Sequence, residues 1–475
     1  MSSGLARVTI SAPQRRVDVA LPEHLPLAEL LPEVLRHAGD GLADDGERHG
    51  GWVLRRTDGA ALSNGQALLP QGVRDGDVLH LVPARAQWPE LEYDDVVEAI
   101  ADGARRRGAA WSAPATRGAS LAGAGALLTV GLVAVLAAGP GVGLGPIAAL
   151  VISVVLALAG VVASRAYGDA AAGAALGGYA LPYAFVGGAL LIASGDPVGV
   201  LAPVRWLGAP EALAGSVAVL LVAVLGAVGV AAGLRVFAAG ATVGLLGAAT
   251  ALAGFAVSAG GAAAILLSVL VCGIGVLPLL AIRFGKLPMP PITLPAGTDG
   301  TEGFTAAGGP LDGARERPER GRVFAAVART EELLTGMLIG HAVLATVAAG
   351  LLVLAGGFAG RLLVAVAAAA LLLRSRLFVT FRQRVPLVVA GILGFVVLGL
   401  ALVTGAGTDT LLVLVGGALV LALVTVGAGA TYAHRTPSPY LGRAADLVDT
   451  LMVVSVVPVA CAVLGLYAQV RGLLG

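Results

Sequence analysis

From Ser120 to about Tyr467 the chain is a nearly continuous field of Ala, Val, Leu and Gly, broken once by a polar insertion at 283–332. Uncharged stretches of about 20 residues match the hydrocarbon core of a bilayer when helical. In that medium the backbone must satisfy its own hydrogen bonds, which helices and closed barrels achieve. The runs are long and unbroken rather than short and alternating, so they predict helices and not a barrel. Only 13% of the residues are charged, about half the roughly 25% of a soluble domain, and the charges bunch between the apolar runs. The expected fold class is an α-helical polytopic membrane protein of about eleven transmembrane helices with an N-terminal α+β domain. The expected spans are 120–138, 144–163, 170–193, 212–232, 236–257, 261–282, 333–355, 362–373, 385–403, 410–431 and 447–467. The span at 362–373 is the shortest; without it the count falls to ten and the C-terminus changes side.

The first quarter has another pattern. No apolar h-region opens the chain, which argues against a cleavable signal. Residues 7–10 and 16–21 alternate in the strand period around a turn at Ser11-Ala12-Pro13-Gln14. Leu27, Leu30, Leu31, Val34 and Leu35 then follow helical spacing, with Pro32 expected to kink or split the helix. A third strand is expected at 52–55, and Asp75-Gly76-Asp77 supplies a tight turn before a closing strand at 78–82. This ββαβ…β order is that of a ubiquitin-like β-grasp fold. No Gly-Gly terminus is freed and the domain has no lysine, so it reads as a docking module and not a conjugation tag. The expected organisation is a cytoplasmic ubiquitin-like domain at 1–90 and a linker at 91–119. Helices 1–6 follow at 120–282, a cytoplasmic Pro/Gly-rich loop at 283–332 and helices 7–11 at 333–475.

Charge sets the expected orientation. Residues 1–117 carry 13 Arg against 17 acids, and the rest of the chain 18 Lys and Arg against 13 acids. With the N-terminus inside, the inside loops hold Arg165, Arg235, Arg283, Lys286, Arg374, Arg376, Arg382, Arg384, Arg435 and Arg443. The outside holds Arg205, Arg361 and Arg471, as the positive-inside rule requires; the C-terminus is then extracytoplasmic. In the linker, Val96, Val97, Ile100, Ala101 and Ala104 share one helical face ahead of Arg105, Arg106 and Arg107. These three arginines, and the group Arg374, Arg376, Arg382 and Arg384, are the candidate contacts to a partner or to lipid headgroups. A net charge of +1 gives no basic field for nucleic acid.

Little in the sequence points to chemistry. The one lysine, Lys286, stands in no phosphate-binding loop, and no H-E-x-x-H, C-x-x-C or G-x-S-x-G occurs. No catalytic residue, cofactor or metal site is therefore expected. Cys272 and Cys461 are expected as small buried hydrophobes. An ion-coupled transporter places ionisable groups near mid-membrane, and here only His341 stands there; a neutral packing role accounts for it. Tyr179-Ala180-Leu181-Pro182-Tyr183 offers a kink and two hydroxyls, expected as packing rather than as a substrate site. Gly173 with Gly177 and Gly240 with Gly244 fall at the spacing that lets helices approach closely.

Several stretches, in this order, carry a resemblance over essentially the whole chain. They are Gly51-Trp52-Val53-Leu54-Arg55-Arg56 and the Asp-Gly-Asp turn; Asp94-Asp95-Val96-Val97-Glu98-Ala99-Ile100-Ala101; and Leu287-Pro288-Met289-Pro290-Pro291. Leu334-Thr335-Gly336, Leu373-Arg374-Ser375-Arg376, Arg384-Val385-Pro386 and Gly465-Leu466-Tyr467-Ala468-Gln469-Val470-Arg471 continue it. The chain resembles EccD, the multispan inner-membrane component of actinobacterial type VII secretion systems. One departure is that Asp446 and Asp449 stand where the family leads one to expect glutamates. The resemblance implies a non-enzymatic scaffold or channel subunit. It implies two copies around a lipid-lined space, in a complex with EccB, EccE and EccC, the FtsK/SpoIIIE-like ATPase that exports WXG100-type substrates. The β-grasp domain is then expected to dock on that ATPase. The alternative from another class is a secondary transporter with a regulatory β-grasp domain, which would show an internal repeat and a mid-membrane polar site.

Overall fold

The computed structural model describes residues 4–13, 15–39, 41–84, 111–140, 144–199, 204–286, 320–405, 407–434 and 438–474. The chain divides into two compact units, Met1–Ser112 and Ala113–Gly475. The expected linker helix with Arg105, Arg106 and Arg107, and the Leu287–Pro291 stretch, lie outside the described residues.

In the first unit, strands β1 (Leu5–Ser11) and β2 (Arg16–Pro22) form a hairpin. Helix α1 (Leu27–Ala38) and a short helix α2 (Leu42–His49) precede β3 (Trp52–Arg56) and β4 (Val78–Pro83). The sheet order is β2-β1-β4-β3, with β1 and β4 parallel and the other pairs antiparallel. Because strand side chains alternate between faces, Ala6, Val8, Ile10, Leu54, Leu79 and Leu81 all turn to one side. There they meet Leu27, Leu30 and Val34 of α1, and all of these are buried. The Asp-Gly-Asp motif has a specific task. Asp75 accepts the Arg7 N–H through Oδ1 at 2.6 Å, and the Gly76 N–H returns to the Arg7 carbonyl at 2.8 Å. Gly76 sits at φ +89°, where a side chain would be strained. The turn thus starts β4 alongside β1.

Two expectations for this unit are corrected. Pro32 does not split α1, which runs unbroken through 12 residues. The carbonyl Pro32 leaves without its helical donor belongs to Ala28, an exposed residue whose carbonyl water can reach. Helix α2 was not foreseen. Its two turns contain Leu42 as the single large buried apolar residue, too few to show a period.

Among the described residues, the second unit contains 11 helices long and apolar enough to cross a membrane. They are α3 (Ala113–Ala138), α4 (Gly145–Arg165), α5 (Ala170–Ile192), α6 (Ala209–Gly229) and α7 (Leu234–Ala253). The sixth runs from α8 (Ala259–Gly273) through a 3₁₀ turn (Ile274–Val276) into α9 (Leu277–Gly285), breaking just ahead of Pro278. Then come α10 (Arg320–Ala355), α11 (Phe358–Arg374), α12 (Phe381–Thr404), α13 (Thr408–His434) and α14 (Pro439–Val463), with a short closing helix α15 (Leu466–Leu474). The eighth span, expected as short, starts four residues earlier and continues through a 3₁₀ turn as a 20-residue apolar stretch. Residues 320–332, expected as part of an irregular loop, are instead the start of α10. At 36 residues α10 is about 54 Å long, well beyond the roughly 30 Å hydrocarbon core, so its charged first turns have room outside the membrane.

The largest core cluster joins α8, α10, α11, α12 and α14 through Leu267, Leu270, Leu338, Leu363, Leu387 and Val456. Elsewhere glycine sets the spacing. A Cβ built on Gly160 would stand 2.9 Å from the Gly173 carbonyl, so α4 and α5 touch backbone to backbone. The Gly240 and Gly244 pair is used the same way: a Cβ on Gly244 would lie 2.6 Å from the Leu220 nitrogen. Cys272 is exposed on the helix surface and Cys461 half-buried, so neither is the fully buried hydrophobe expected.

Candidate interaction surfaces

The face of the sheet turned away from α1 carries a polar row, exposed at Arg16 and His80 and half-buried at Ser11 and Arg55. Arg16 on β2 pairs with Ser11 on β1, Ser11 with His80 on β4, and His80 with Arg55 on β3. These four residues alternate with the buried ones on their strands, so they share the outward face. Strands lie about 4.8 Å apart, and the row therefore crosses the whole sheet with two guanidinium groups and an imidazole. The neighbouring row begins with Asp18, whose Oδ1 accepts from Thr9 Oγ1 at 2.6 Å. Sequence reading named the domain as a docking module without locating this surface. Its members are scattered from position 11 to position 80, and only the parallel β1–β4 register aligns them.

The second unit concentrates its interhelical ion pairs at one end. Arg117 of α3 pairs with Asp169 at the start of α5. Arg235 of α7 pairs with Glu332 of α10 at 3.9 Å. Arg374 and Arg376, at the end of α11, face Asp449 and Asp446 of α14, each at 3.6 Å. Arg165 ends α4 and donates to the Gly229 and Val228 carbonyls at the end of α6, at 2.8 and 2.9 Å. If each long helix crosses once, all of these positions fall on the same face. The four arginines expected to act as a group are therefore divided. Arg374 is turned into the protein and Arg376, though exposed, still reaches an aspartate of α14, whereas Arg382 and Arg384, exposed in the first turn of α12, make no ion pair among the described residues. The aspartates at 446 and 449 are the partners of the first two, a relation hidden by a separation of 75 positions for Arg374 and 70 for Arg376.

The mid-membrane candidates are engaged in packing. His341 is buried, and its Nδ1 donates to the Met337 carbonyl one turn back at 3.0 Å. The Tyr179 and Tyr183 hydroxyls donate to the Leu121 and Leu128 carbonyls of α3 at 2.8 and 2.6 Å. Gly125 and Gly131 make room for them, since a Cβ there would stand 2.9 and 2.7 Å from the two hydroxyls. Tyr183→Phe is therefore expected to lower thermal stability by about 1 kcal/mol, the worth of one hydrogen bond, with no change in activity in the host. Lost activity at unchanged stability would reverse this assignment. Among the described residues no group of three or more His, Cys, Asp or Glu is placed to hold a metal.

A polar-faced β-grasp domain ahead of an eleven-helix membrane unit defines the class: a multispan membrane protein with a ubiquitin-like module. Residues 116–473 match the EccD-like transmembrane domain family, and residues 5–81 match YukD, a protein of the WXG100 protein secretion system. The chain belongs to the EccD-like family, the membrane components of type VII secretion. Among curated relatives, the ESX-4 secretion system protein eccD4 from two strains of Mycobacterium tuberculosis is 39% identical over 98 residues. That match spans 21% of this chain and 21% of each relative. Protomer 1 of the ESX-3 core complex superposes with a TM-score of 0.57 at 23% identity, covering 98% of this chain and 100% of that one. A chain of the MycP5-free ESX-5 inner membrane complex gives 0.55 at 18% identity, covering 91% of this chain and 100% of that one. At these identities the two structures speak for the fold.

Proposed function

We propose that this chain is the membrane scaffold of a type VII secretion complex and that its first unit docks the cytoplasmic export ATPase of the EccC type. The observation that carries the docking reading is the Arg16–Ser11–His80–Arg55 row on the sheet face opposite α1, with Arg16 and His80 exposed. A cationic row on a rigid sheet suits an acidic stripe on a partner, since complementary charge sets register and encounter rate. No catalytic step is assigned to this chain. The N-terminus is cytoplasmic and the C-terminus extracytoplasmic, a reading supported by the positive-inside rule and by the gathering of ion pairs on the face that would be inside. EccB, EccE and a second copy of the chain are the remaining proposed partners.

The test is affinity purification of the tagged chain from its native host in mild detergent, with quantitative mass spectrometry. Arg16→Glu/Arg55→Glu is expected to lower recovery of the ATPase subunit at least tenfold while the other membrane subunits stay. Arg74→Glu, an exposed change in the loop before β4, serves as the control and is expected to have no effect. Wild-type recovery of the ATPase with the reversed row would sink this surface. A chain purified with no secretion subunit at all would favour the transporter alternative.

A further inference from the structure

A helix that crosses a bilayer leaves hydrocarbon where its apolar run stops, and the turn between α11 and α12 lies at such a place. The apolar run of α11 ends at Leu373, and that of α12 opens at Val385. The turn between them is held from several sides. Arg374 and Arg376 tie its start to α14. Ser375 Oγ donates to the Leu372 carbonyl at 2.6 Å, and Phe378 is buried in the main core cluster. The Gln383 and Arg384 N–H groups donate to the Thr380 carbonyl at 3.2 and 3.0 Å. What the turn presents to its surroundings is therefore set by the fold.

It presents apolar and basic groups together. With Phe378 turned inward, Leu377 and Val379 are exposed, Val379 to 97%, and Phe381 is 81% exposed. Arg382 and Arg384 come next, exposed and without an ion pair among the described residues. No acidic residue occurs in α11, in α12 or between them. Water is a poor medium for the three apolar side chains, and hydrocarbon for the two guanidinium groups. The headgroup layer accommodates both. Neighbouring helix ends mark the same layer. Tyr167, just past α4, and Tyr440, in the first turn of α14, are as exposed as Phe381. Both stand at the end of the unit that carries the interhelical ion pairs, and tyrosines gather at membrane interfaces. At that depth the surrounding molecule that offers negative charge and apolar chains at once is the lipid itself.

We propose that the α11–α12 turn is a binding site for an anionic phospholipid, with Arg382 and Arg384 on the headgroup and Leu377, Val379 and Phe381 against the upper acyl chain. A guanidinium fork matches phosphate oxygens. A zwitterionic headgroup would bring its own cation against the second arginine, so the site selects for net negative charge. The site is separate from the sheet face of the first unit and independent of ATPase docking.

The test uses the full-length chain purified in a neutral detergent and mixed with equal amounts of dioctanoyl phosphatidylglycerol and dioctanoyl phosphatidylcholine. Native mass spectrometry counts the lipid retained. An arginine near an anionic surface contributes roughly a factor of five, so the wild-type chain is expected to prefer phosphatidylglycerol by about tenfold or more. Arg382→Gln/Arg384→Gln is expected to lower that preference at least fivefold, and Arg382→Lys/Arg384→Lys to keep most of it. Arg205→Gln/Arg471→Gln, exposed charges at the opposite helix ends, should leave it unchanged. Val379→Ser/Phe381→Ser should weaken retention of both lipids and preserve their ratio. The same preference in the wild type and in Arg382→Gln/Arg384→Gln would overturn the proposal. Displacement of the lipid by an equal concentration of inorganic phosphate would overturn it in favour of a soluble phosphate. A dimer that dissociates in Arg382→Gln/Arg384→Gln would assign the patch to a second copy. Unchanged lipid preference with loss of another secretion subunit on purification from the host would assign it to a protein partner. Monodisperse elution and an unchanged melting temperature without added lipid keep misfolding out of the comparison.

Discussion

Arg374→Leu is expected to destabilise the membrane unit by about 3 kcal/mol, the order found when one member of a covered ion pair is removed. The guanidinium is held by three helices at once: it belongs to α11, faces Asp449 of α14 at 3.6 Å, and donates to the Val271 carbonyl of α8 at 3.2 Å. The two side chains are only 17% and 23% exposed. Arg374 Nε and Asp449 Oδ1 are fully covered and, among the described residues, have no hydrogen-bond partner beyond their mutual attraction. Removing the arginine leaves a carboxylate shielded from water with nothing to balance it. Asp449→Leu should cost about as much, for the mirror reason. The double replacement Arg374→Leu/Asp449→Leu should recover most of the loss, because neither desolvated charge then remains. Arg376→Leu breaks a pair whose partner Asp446 is 78% exposed, and its expected cost is about 0–1 kcal/mol. Thermal unfolding of purified variants in one detergent ranks them; equal melting temperatures for Arg374→Leu and Arg376→Leu would refute this account.

These same residues show where sequence reading stops. Eleven apolar runs were legible because a bilayer demands about 20 uncharged residues in each crossing, a constraint local to one stretch. The β-grasp domain was legible for a similar reason: strand alternation, one amphipathic helix and the Asp-Gly-Asp turn each act within a few residues. What escaped depends on long-range register. Asp446 and Asp449 read as ordinary charges at a helix end, and their service to Arg374 and Arg376 follows only from α11 lying against α14. The Arg16–Ser11–His80–Arg55 row needs β4 to enter between β1 and β3, which no single segment announces. Helix α2 escaped because its contact with the rest of the unit runs through Leu42, Gly46 and the Trp52 indole. A two-turn helix with one large apolar anchor has no period to detect. The boundary at Glu332 was misplaced because charge ends a membrane span but does not end a helix.

The glycines divide along the same line, and they give the second large effect. Glycine is so abundant here, at 69 residues, that spacing alone cannot separate packing positions from filler; contact can. A Cβ on Gly173 would stand 2.8 Å from the Gly160 carbonyl and 2.8 Å from Ser164 Cβ. The carbonyl is backbone of a helix that is itself packed, so relief requires α4 and α5 to separate along their length. Gly173→Ala is therefore expected to cost about 1–3 kcal/mol, the usual range for overpacking. Gly173→Leu should prevent the two helices from docking, with most of the protein lost to aggregation in detergent. Gly399 in α12 is the counterpart, with nothing within 4 Å of its added Cβ. Gly399→Ala should be neutral or stabilising by up to about 1 kcal/mol, since alanine is the better helix former. The check is the monodisperse fraction and melting temperature of Gly173→Ala, Gly173→Leu and Gly399→Ala prepared in parallel. If Gly173→Ala melts with Gly399→Ala, the backbone contact between α4 and α5 is not what holds this half of the membrane unit together. In that case the Arg165 bonds to the end of α6 become the interaction to remove next.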